Sequence, residues 1–281
     1  MGYLICDSGG SKSEWSWVEA ATVTTLHTQG ISPYFLSEAQ IIALLQTELL
    51  PQLPALANIE SIFFYGAGLS NSENIAIVQG ALQQVFTATK QIEVQHDLLA
   101  AARALCGREP GIACILGTGS NSCYFDGTTI QKNSPGLGYV LGDEGSGAYL
   151  GKKVLQYYLY QTFDEELLAR FDKTFHTTRD EILNKVYKVP QANKYLATFA
   201  LFLSENRGHY MIENIIEDGL NDFFFTHLHK YSQTWTTQVH FVGSVAFGFK
   251  DVLADLCSAY QMSLGNVLKT PTQGLLAFHN Q

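Results

Sequence analysis

Positions 3–27 read YLICDSGGSKSEWSWVEAATVTTLH. The apolar run Tyr3–Cys6 predicts a short strand, and the glycine pair inside Asp7–Ser13 predicts a turn directly after it. The two tryptophans that follow alternate with polar residues, and Val23–His27 is rich in β-branched residues, as is typical of strands. This stretch therefore predicts three consecutive strands joined by tight turns.

The residues up to position 105 alternate between helix and strand patterns. Ser37 opens a predicted helix that ends near Pro51, and Ile59–Tyr65 predicts a buried strand. The remaining predicted elements are a helix at 75–86, a strand at 92–95 and a helix at 97–105. The element order is βββαβαβα, which indicates an α/β fold with a mixed sheet.

The same order begins again in the second half of the chain. Ala113–Leu116 predicts a strand that stops at a second glycine turn, Gly117–Asn121, and a hairpin follows across Asp126-Gly127. The remaining predicted elements are helices within 145–235, a strand at 239–242, a helix at 245–260 and a terminal helix at 272–280. We expect an internal duplication with two lobes, residues 1–107 plus 270–281 and residues 108–269.

Composition narrows the functions that are open to the chain. It has 281 residues, of which 46% are hydrophobic and 15% charged, so it is a folded protein long enough for two lobes. Lys and Arg total 17 against 26 Asp and Glu, which gives a net charge of −9. Nucleic acids and anionic membranes bind to cationic surfaces, so we expect neither as a partner. A phosphate ligand must be held by local main-chain donors.

Nothing in the sequence predicts a leader peptide or a membrane span. The N-terminus lacks a basic region followed by an apolar run, and no window offers about 18 consecutive apolar residues. The five cysteines, at positions 6, 106, 114, 123 and 257, form no CxxC pair, which is typical of buried thiols in a reducing compartment. We expect a cytoplasmic protein.

The two glycine turns are candidate phosphate sites. Glycines let main-chain N–H groups converge on an anion, and Asp7 at the end of its strand can hold a hydrated Mg²⁺. A plain hairpin turn explains either stretch alone. Two such turns at equivalent positions of two lobes favour a nucleotide-binding protein.

Three further segments carry candidate chemistry. Asp97 begins an alanine-rich helix and could serve either as a base for a sugar hydroxyl or simply as the helix cap, while His96 has no evident partner. The glycine-dense run 136–147 contains Asp143, which could accept two sugar hydroxyls or cap a helix. Gly243-Ser244 follows a strand and allows close approach of a nucleoside.

The motifs DSGGSKS, LGTGSN, GDEGSG and VGSVAFG, in this order, resemble the BadF/BadG/BcrA/BcrD ATPase family. Within it the chain is most similar to N-acetylglucosamine kinases of the actin/hexokinase/Hsp70 superfamily. The resemblance implies two ribonuclease-H-like lobes around an ATP cleft, with the last helix returning to the first lobe. It also implies ATP and Mg²⁺ as cofactors, a small sugar as substrate and a possible homodimer.

The resemblance also implies roles for individual residues. Asp97 is then the catalytic base and contacts the sugar, together with Gly136, Gly138 and Asp143, and Asp7 holds the metal through water. The residues implied to bind ATP and its phosphates are Gly9, Gly10, Ser11, Lys12, Ser13, Gly117, Thr118, Gly119, Ser120, Gly243 and Ser244.

The implied reaction is transfer of the γ-phosphoryl group of ATP to an amino sugar, most of all to the 6-hydroxyl of N-acetylglucosamine. Leu137 replaces a tryptophan common in the family, and the loop 30–34 lacks its usual asparagine, so the sugar stays open. Two alternatives remain: an ATPase that activates a CoA-ester reductase or dehydratase through an iron–sulfur cluster, and a sensor that binds nucleotide and sugar without transfer.

Overall fold

The computed structural model describes residues 2–9, 12–20, 22–54 and 58–280. The chain divides into two compact units, unit 1 with residues 1–107 and 271–281 and unit 2 with residues 108–270. Each unit contains one five-stranded mixed sheet with helices, which confirms the predicted α/β class. No helix in the described ranges is both long and apolar enough to span a membrane.

The sheet of unit 1 has the order β3-β2-β1-β4-β5. Strands β1 to β3 form an antiparallel meander, whereas β1, β4 and β5 run parallel. The strands are β1 (Gly2–Ser8), β2 (Lys12–Glu19), β3 (Thr22–Gln29), β4 (Ile59–Gly66) and β5 (Gln91–His96). The helices are α1 (Glu38–Leu44), α2 (Ser72–Val85), α3 (Asp97–Cys106) and the C-terminal α13 (Thr272–His279).

Strand β1 is buried on both faces, which explains its uninterrupted apolar run. On one face Leu4 and Cys6 join the core under α1 and α2, where α1 continues into a π-helical turn, Leu45–Leu49. On the other face Ile5 packs with residues of α3 and α13, among them Leu275. The C-terminal helix is therefore part of the core of unit 1.

The sheet of unit 2 has the order β10-β9-β6-β7-β8, which repeats the connectivity of unit 1. Its strands are β6 (Gly111–Leu116), β7 (Ser120–Phe125), β8 (Ile130–Ser134), β9 (Gln238–Val242) and β10 (Ser263–Leu268). Its helices are α4 (Gly138–Leu141), α5 (Gly147–Leu159), α6 (Glu165–Phe175), α7 (Arg179–Tyr187), α8 (Ala192–Thr198), α9 (Ala200–Glu205), α10 (Tyr210–Thr226), α11 (Ser244–Gly248) and α12 (Lys250–Ala259).

Strand β10 was not predicted from the sequence. Its sequence SLGNVL contains Gly265 and Asn266, two residue types that are depleted in strands, and its pairing with β9 is irregular at this point. The structure shows why a glycine lies there: a Cβ on Gly265 would be 2.3 Å from Nδ1 of His240. The same Nδ1 accepts the main-chain N–H of Asn266 at 2.9 Å, which holds this edge strand in place.

The predicted helix 245–260 is likewise two helices. The chain leaves helical geometry at Phe249, where φ is −120° and ψ is 34°, so α11 and α12 follow one another with a bend. Phe249 is 3% exposed and packs into the core of unit 2.

Candidate functional site

Unit 1 presents two carboxylates at one edge of its sheet. Asp7 lies near the end of β1 and pairs with Tyr65 of β4, which in turn pairs with Gln95 of β5. Asp97 follows β5 directly as the first residue of α3. Because β1, β4 and β5 run parallel, both acids lie at the carboxyl end of the sheet, where ligands bind in open α/β sheets. Both side chains are half-buried.

The electrostatic state of this pair follows mainly from burial. Burial, together with the nearby charges of Asp97 and Glu14, raises the pKa of Asp7 to about 7 against the opposing charge of Lys12. Burial raises the pKa of Asp97 to about 6, against stabilisation of the ionised form by the main-chain N–H groups of Asp97 and Leu98. Such a pair suits a proton acceptor beside a divalent cation.

The structure shows that Asp97 is not the cap of its helix. The N-cap of α3 is His96, whose Nδ1 accepts the N–H of Leu99 at 3.2 Å. Burial, with a contribution from Arg103, lowers the pKa of His96, so the ring stays neutral and Nδ1 can accept. The capping role considered for Asp97 thus belongs to the histidine, and the Asp97 carboxylate remains available for chemistry.

This cap gives a first prediction. His96→Ala should fray the start of α3 and lower kcat by about tenfold, since the Asp97 carboxylate is displaced while binding contacts elsewhere stay intact. His96→Asn, which restores an N-cap acceptor, should recover most of the rate. Steady-state kinetics of both variants test this; equal losses in the two would contradict a role through capping.

The first glycine turn is braced by buried hydroxyls. Ser8 and Ser13 contact each other through their Oγ atoms at 2.7 Å, and the N–H of Ile31 donates to Ser8 Oγ at 2.9 Å. Ser13 is fully buried and also donates to the carbonyl of Gln29. Its hydroxyl therefore supports the turn, and the expected contact of this side chain with a phosphate stays a prediction.

The structure describes two other predicted residues of this turn, Gly9 and Lys12. The N–H of Gly9 donates to the carbonyl of Lys12 at 3.0 Å, which closes the turn, and the Lys12 side chain is exposed. Gly10 and Ser11 lie outside the described residues. Phosphate binding by this turn stays a prediction.

The second glycine turn is fixed against the start of α5. The carbonyls of Gly117 and Thr118 accept the N–H groups of Gly147 at 2.8 Å and Ala148 at 3.1 Å. The hydroxyl of Ser120 is buried and has no hydrogen-bond partner in the described part of the chain. An unpaired buried hydroxyl is costly, so this atom is available to a ligand group that reaches it.

Asp143 lies directly beside that turn. Its Oδ1 accepts the N–H of Gly138 at 3.0 Å, and the side chain is 8% exposed. A Cβ on Gly119 would lie 3.0 Å from Oδ2, and one on Gly136 would lie 2.8 Å from Oδ1. Burial raises the pKa of Asp143, although main-chain donors at Gly138 and Ser120 oppose the shift. Gly136, Gly138 and Asp143, three of the residues expected to contact the sugar, thus lie beside the second turn.

A buried histidine holds both ends of the segment that carries Asp143. Nε2 of His227 contacts Glu144 Oε2 at 3.2 Å, and Nδ1 contacts Ser134 Oγ at 2.9 Å. A carboxylate only accepts, so Nε2 donates to Glu144 and Nδ1 accepts from Ser134. His227 is 2% exposed and follows α10, and no sequence pattern pointed to it. It clamps the chain before Gly136 to the chain after Asp143.

This clamp gives a second prediction. His227→Phe keeps a ring of similar size but loses both hydrogen bonds, so it should raise the KM for the sugar by about tenfold and leave the KM for ATP within about twofold. His227→Gln, which can donate and accept, should give a smaller change. A matching rise in both KM values would show general damage to unit 2 and contradict the clamp.

A pocket of about 250 Å³ in unit 2 joins the second turn to the start of α11. Gly117, Thr118 and Ser244, three of the residues expected to bind ATP, line it, and nucleotide binding there stays a prediction. Gly243 has φ +129°, and its Cα lies against the end of β6. Further lining residues are Gly147, Ala197, Ala200, Leu201, Ser204, Val245, Gly248 and Phe249. These small and apolar residues give no signal in the sequence, because the same types fill any helical core.

The residue of unit 1 that could hold a metal ion is Asp7. In the described ranges no three metal-ligating side chains cluster. Burial and the charges of Asp97 and Glu14 raise the pKa of Asp7 in spite of the opposing charge of Lys12, so a cation bound there would stabilise the ionised carboxylate. Mg²⁺ is commonly held by one or two carboxylates together with waters and substrate phosphates, and this arrangement fits that mode.

Comparisons with known proteins agree with this fold. A candidate N-acetylglucosamine kinase from Porphyromonas gingivalis is 36% identical, with a TM-score of 0.94 over 99% of this chain and 98% of that one. An N-acetylmuramic acid/N-acetylglucosamine kinase of Clostridium acetobutylicum is 25% identical over 185 residues, 61% of this chain and 58% of that relative's length. A ROK hexokinase from Thermus thermophilus shares the fold at TM-score 0.50 and 15% identity, over 96% and 93% of the two chains. No family model matches the chain.

The fold is shared with that hexokinase and with MamK bound to AMPPNP, at TM-scores of 0.50 and 0.55. The chain belongs to the N-acetylglucosamine kinase-like family, since the Porphyromonas gingivalis relative matches it over nearly the full length of both chains. The expected similarity to N-acetylglucosamine kinases is thus confirmed.

Proposed function

We propose that the protein is an ATP-dependent phosphotransferase that acts on an amino sugar, with the 6-hydroxyl of N-acetylglucosamine as the acceptor. The observation that carries this proposal is the placement of Asp97. Its carboxylate begins α3 with a raised pKa, is released from capping by His96 and lies near Asp7 at the ligand-binding edge of the sheet.

The chain's own residues would divide the reaction as follows. Asp97 accepts the hydroxyl proton and orients its oxygen for in-line attack. Asp7 would hold hydrated Mg²⁺, which when bound neutralises charge on the transferring phosphoryl group. In unit 2 the second turn offers main-chain donors and the Ser120 hydroxyl to phosphates, and the pocket at Ser244 takes the nucleoside. Asp143 would fix sugar hydroxyls.

The relatives support an amino sugar, and two local features bear on which one. The Clostridium acetobutylicum relative is named for both N-acetylmuramic acid and N-acetylglucosamine. Leu137 is 63% exposed beside the sugar-side glycines, so it can contact a substituent of the acceptor. Activation of a CoA-ester enzyme is not favoured, because all five cysteines are buried.

The test is an ADP-release assay across sugars. Glucosamine, N-acetylglucosamine, N-acetylmuramic acid, N-acetylmannosamine and glucose are supplied with Mg-ATP, and ³¹P NMR identifies the phosphorylated position. We expect fastest turnover with N-acetylglucosamine and a 6-phosphate product. ADP release at one rate with and without every sugar would contradict the kinase proposal and favour a non-transferring ATPase.

The pH dependence gives a third prediction. Because burial raises the pKa of Asp97 to about 6, the fraction of ionised base falls as the pH drops through 6. We expect kcat/KM for the sugar to show an acid limb near pH 6, measured with excess Mg²⁺ so that ATP stays complexed. A flat profile down to pH 5 would contradict Asp97 as the base.

Two broader features are also part of the proposal. Five buried cysteines that form no disulfide suit a reducing compartment such as the cytoplasm, where ATP is available. A homodimer is proposed from kinship alone, and analytical ultracentrifugation tests it.

A further inference from the structure

Unit 2 contains a second and larger pocket that the proposed reaction does not use. It has a volume of about 600 Å³ and lies among α4, α5, α7 and α8. Buried Leu155, Ile182 and Leu196 form its apolar floor. Tyr160 and Tyr187 stand at its rim with about four-fifths of their surface exposed. A cavity of this size with an apolar floor can enclose a small organic molecule.

The charges at this pocket have one sign. Lys152 and Arg179 line it, and no acidic side chain does among the described residues, although the chain carries a net charge of −9. Arg179 has an exposed partner in Asp180 at 3.9 Å and faces Asp172 across a smaller pocket. Lys152 is half-buried and is therefore the stronger attraction for an anion in the larger pocket.

Lys152 also connects this pocket to the segment 136–147, which carries Asp143. Its Nζ donates to the carbonyl of Tyr139 at 3.3 Å, in the single-turn helix α4. At this length the bond is weak, so an anion in the pocket competes with the carbonyl for the ammonium group. The first residue of the same helix, Gly138, donates its N–H to Asp143 at 3.0 Å. A change at Lys152 is thus two hydrogen bonds away from the Asp143 carboxylate.

We propose that this pocket binds an organic anion with an apolar body and that the bound anion weakens binding of the sugar. The apolar body lies on the leucine and isoleucine floor, and the anionic group pairs with Lys152. Pairing draws the ammonium away from Tyr139, which loosens α4 and its contact with Asp143. The binding step is independent of the proposed kinase function, and only the effect on the sugar rests on it.

Binding is tested on the full chain with 8-anilinonaphthalene-1-sulfonate, an aromatic anion whose fluorescence rises in apolar sites. We expect 1:1 binding that persists in saturating Mg-ADP and weakens about tenfold in Lys152→Met. Gln156→Trp should abolish it, because this exposed residue of α5 lines the pocket. Asn184→Trp and Lys188→Met, at exposed positions of or beside α7 that do not line it, serve as controls.

The neutral analogue N-phenyl-1-naphthylamine separates charge from apolar contact. Its affinity should be equal in the wild type and in Lys152→Met and should fall in Gln156→Trp. Displacement of the sulfonate by Mg-ADP would place it in the nucleotide pocket and overturn the proposal. Loss of binding in a dimer, with recovery in the monomer, would mean that a second copy covers the pocket and would overturn it too.

The coupling is tested by kinetics. The sulfonate should raise the KM for the sugar about fivefold and leave the KM for ATP unchanged. Lys152→Met should have a raised sugar KM without any ligand and no further response. Gln156→Trp should keep the basal KM and lose the response. Tight binding of the sulfonate without a change in sugar KM would overturn the coupling while the kinase activity itself remains measurable.

Discussion

Replacing Asp97 by asparagine is expected to lower kcat by about 10² to 10⁴-fold while ATP still binds. The asparagine has almost the same shape and leaves the His96 cap of α3 in place, but its amide cannot take a proton. Transfer would then depend on a hydroxyl that keeps its proton until the phosphoryl group arrives. Turnover is measured by ADP release and nucleotide affinity by calorimetry.

Stability should move in the opposite direction in this variant. The raised pKa means that ionised Asp97 destabilises the folded protein, with the full penalty above about pH 6 and none below about pH 4. Asp97→Asn should therefore raise Tm at pH 8, and the gain should shrink as the pH falls through that window. Asp218, an exposed residue of α10, provides the control Asp218→Asn, which should change neither rate nor Tm. Near-normal turnover in Asp97→Asn would rule out this residue as the base.

Replacing Gly243 by alanine is expected to lower kcat/KM for ATP by about 100-fold. The residue has φ +129°, which strains any other side chain, and the new Cβ would lie 2.2 Å from the carbonyl oxygen of Leu116 and 3.0 Å from N of Gly117. The backbone must move at the point where the second turn begins. The proposed phosphate donors and the proposed nucleoside pocket are then displaced together.

Gly248→Ala is the matched control. It lies at the end of the same helix, α11, and lines the same pocket, but a Cβ there meets no heavy atom within 4 Å, so it adds a methyl group without moving the backbone. This variant should keep its fold and most of its ATP affinity, so the comparison separates misplacement of the turn from a general effect of adding a methyl group. Because Gly243→Ala also lowers Tm, both variants are assayed well below their unfolding temperatures. Equal ATP kinetics in the two would contradict the role of Gly243.

Local patterns were enough to predict most of the fold. The alternation around Trp15 and Trp17 and the glycine turns at Gly9 and Gly117 reflect backbone preferences that act over a few residues. The meander β1 to β3 and its repeat in unit 2 were therefore predictable. Strand β10 was not, because Gly265 is explained by contact with His240, which is distant in sequence.

The sequence alone determined which chemical groups the protein has and roughly where the chain turns. The sequence pointed to Asp97 and Asp143, because an acid next to a predicted helix start or to glycines can be recognised from neighbouring residues alone. Only the tertiary structure decided that His96 is the cap of α3, that Ser13 is buried and that His227 bonds to Ser134 and Glu144 on either side of the segment 136–143. These roles depend on hydrogen bonds and burial between residues up to about a hundred positions apart, and no local pattern encodes such pairings.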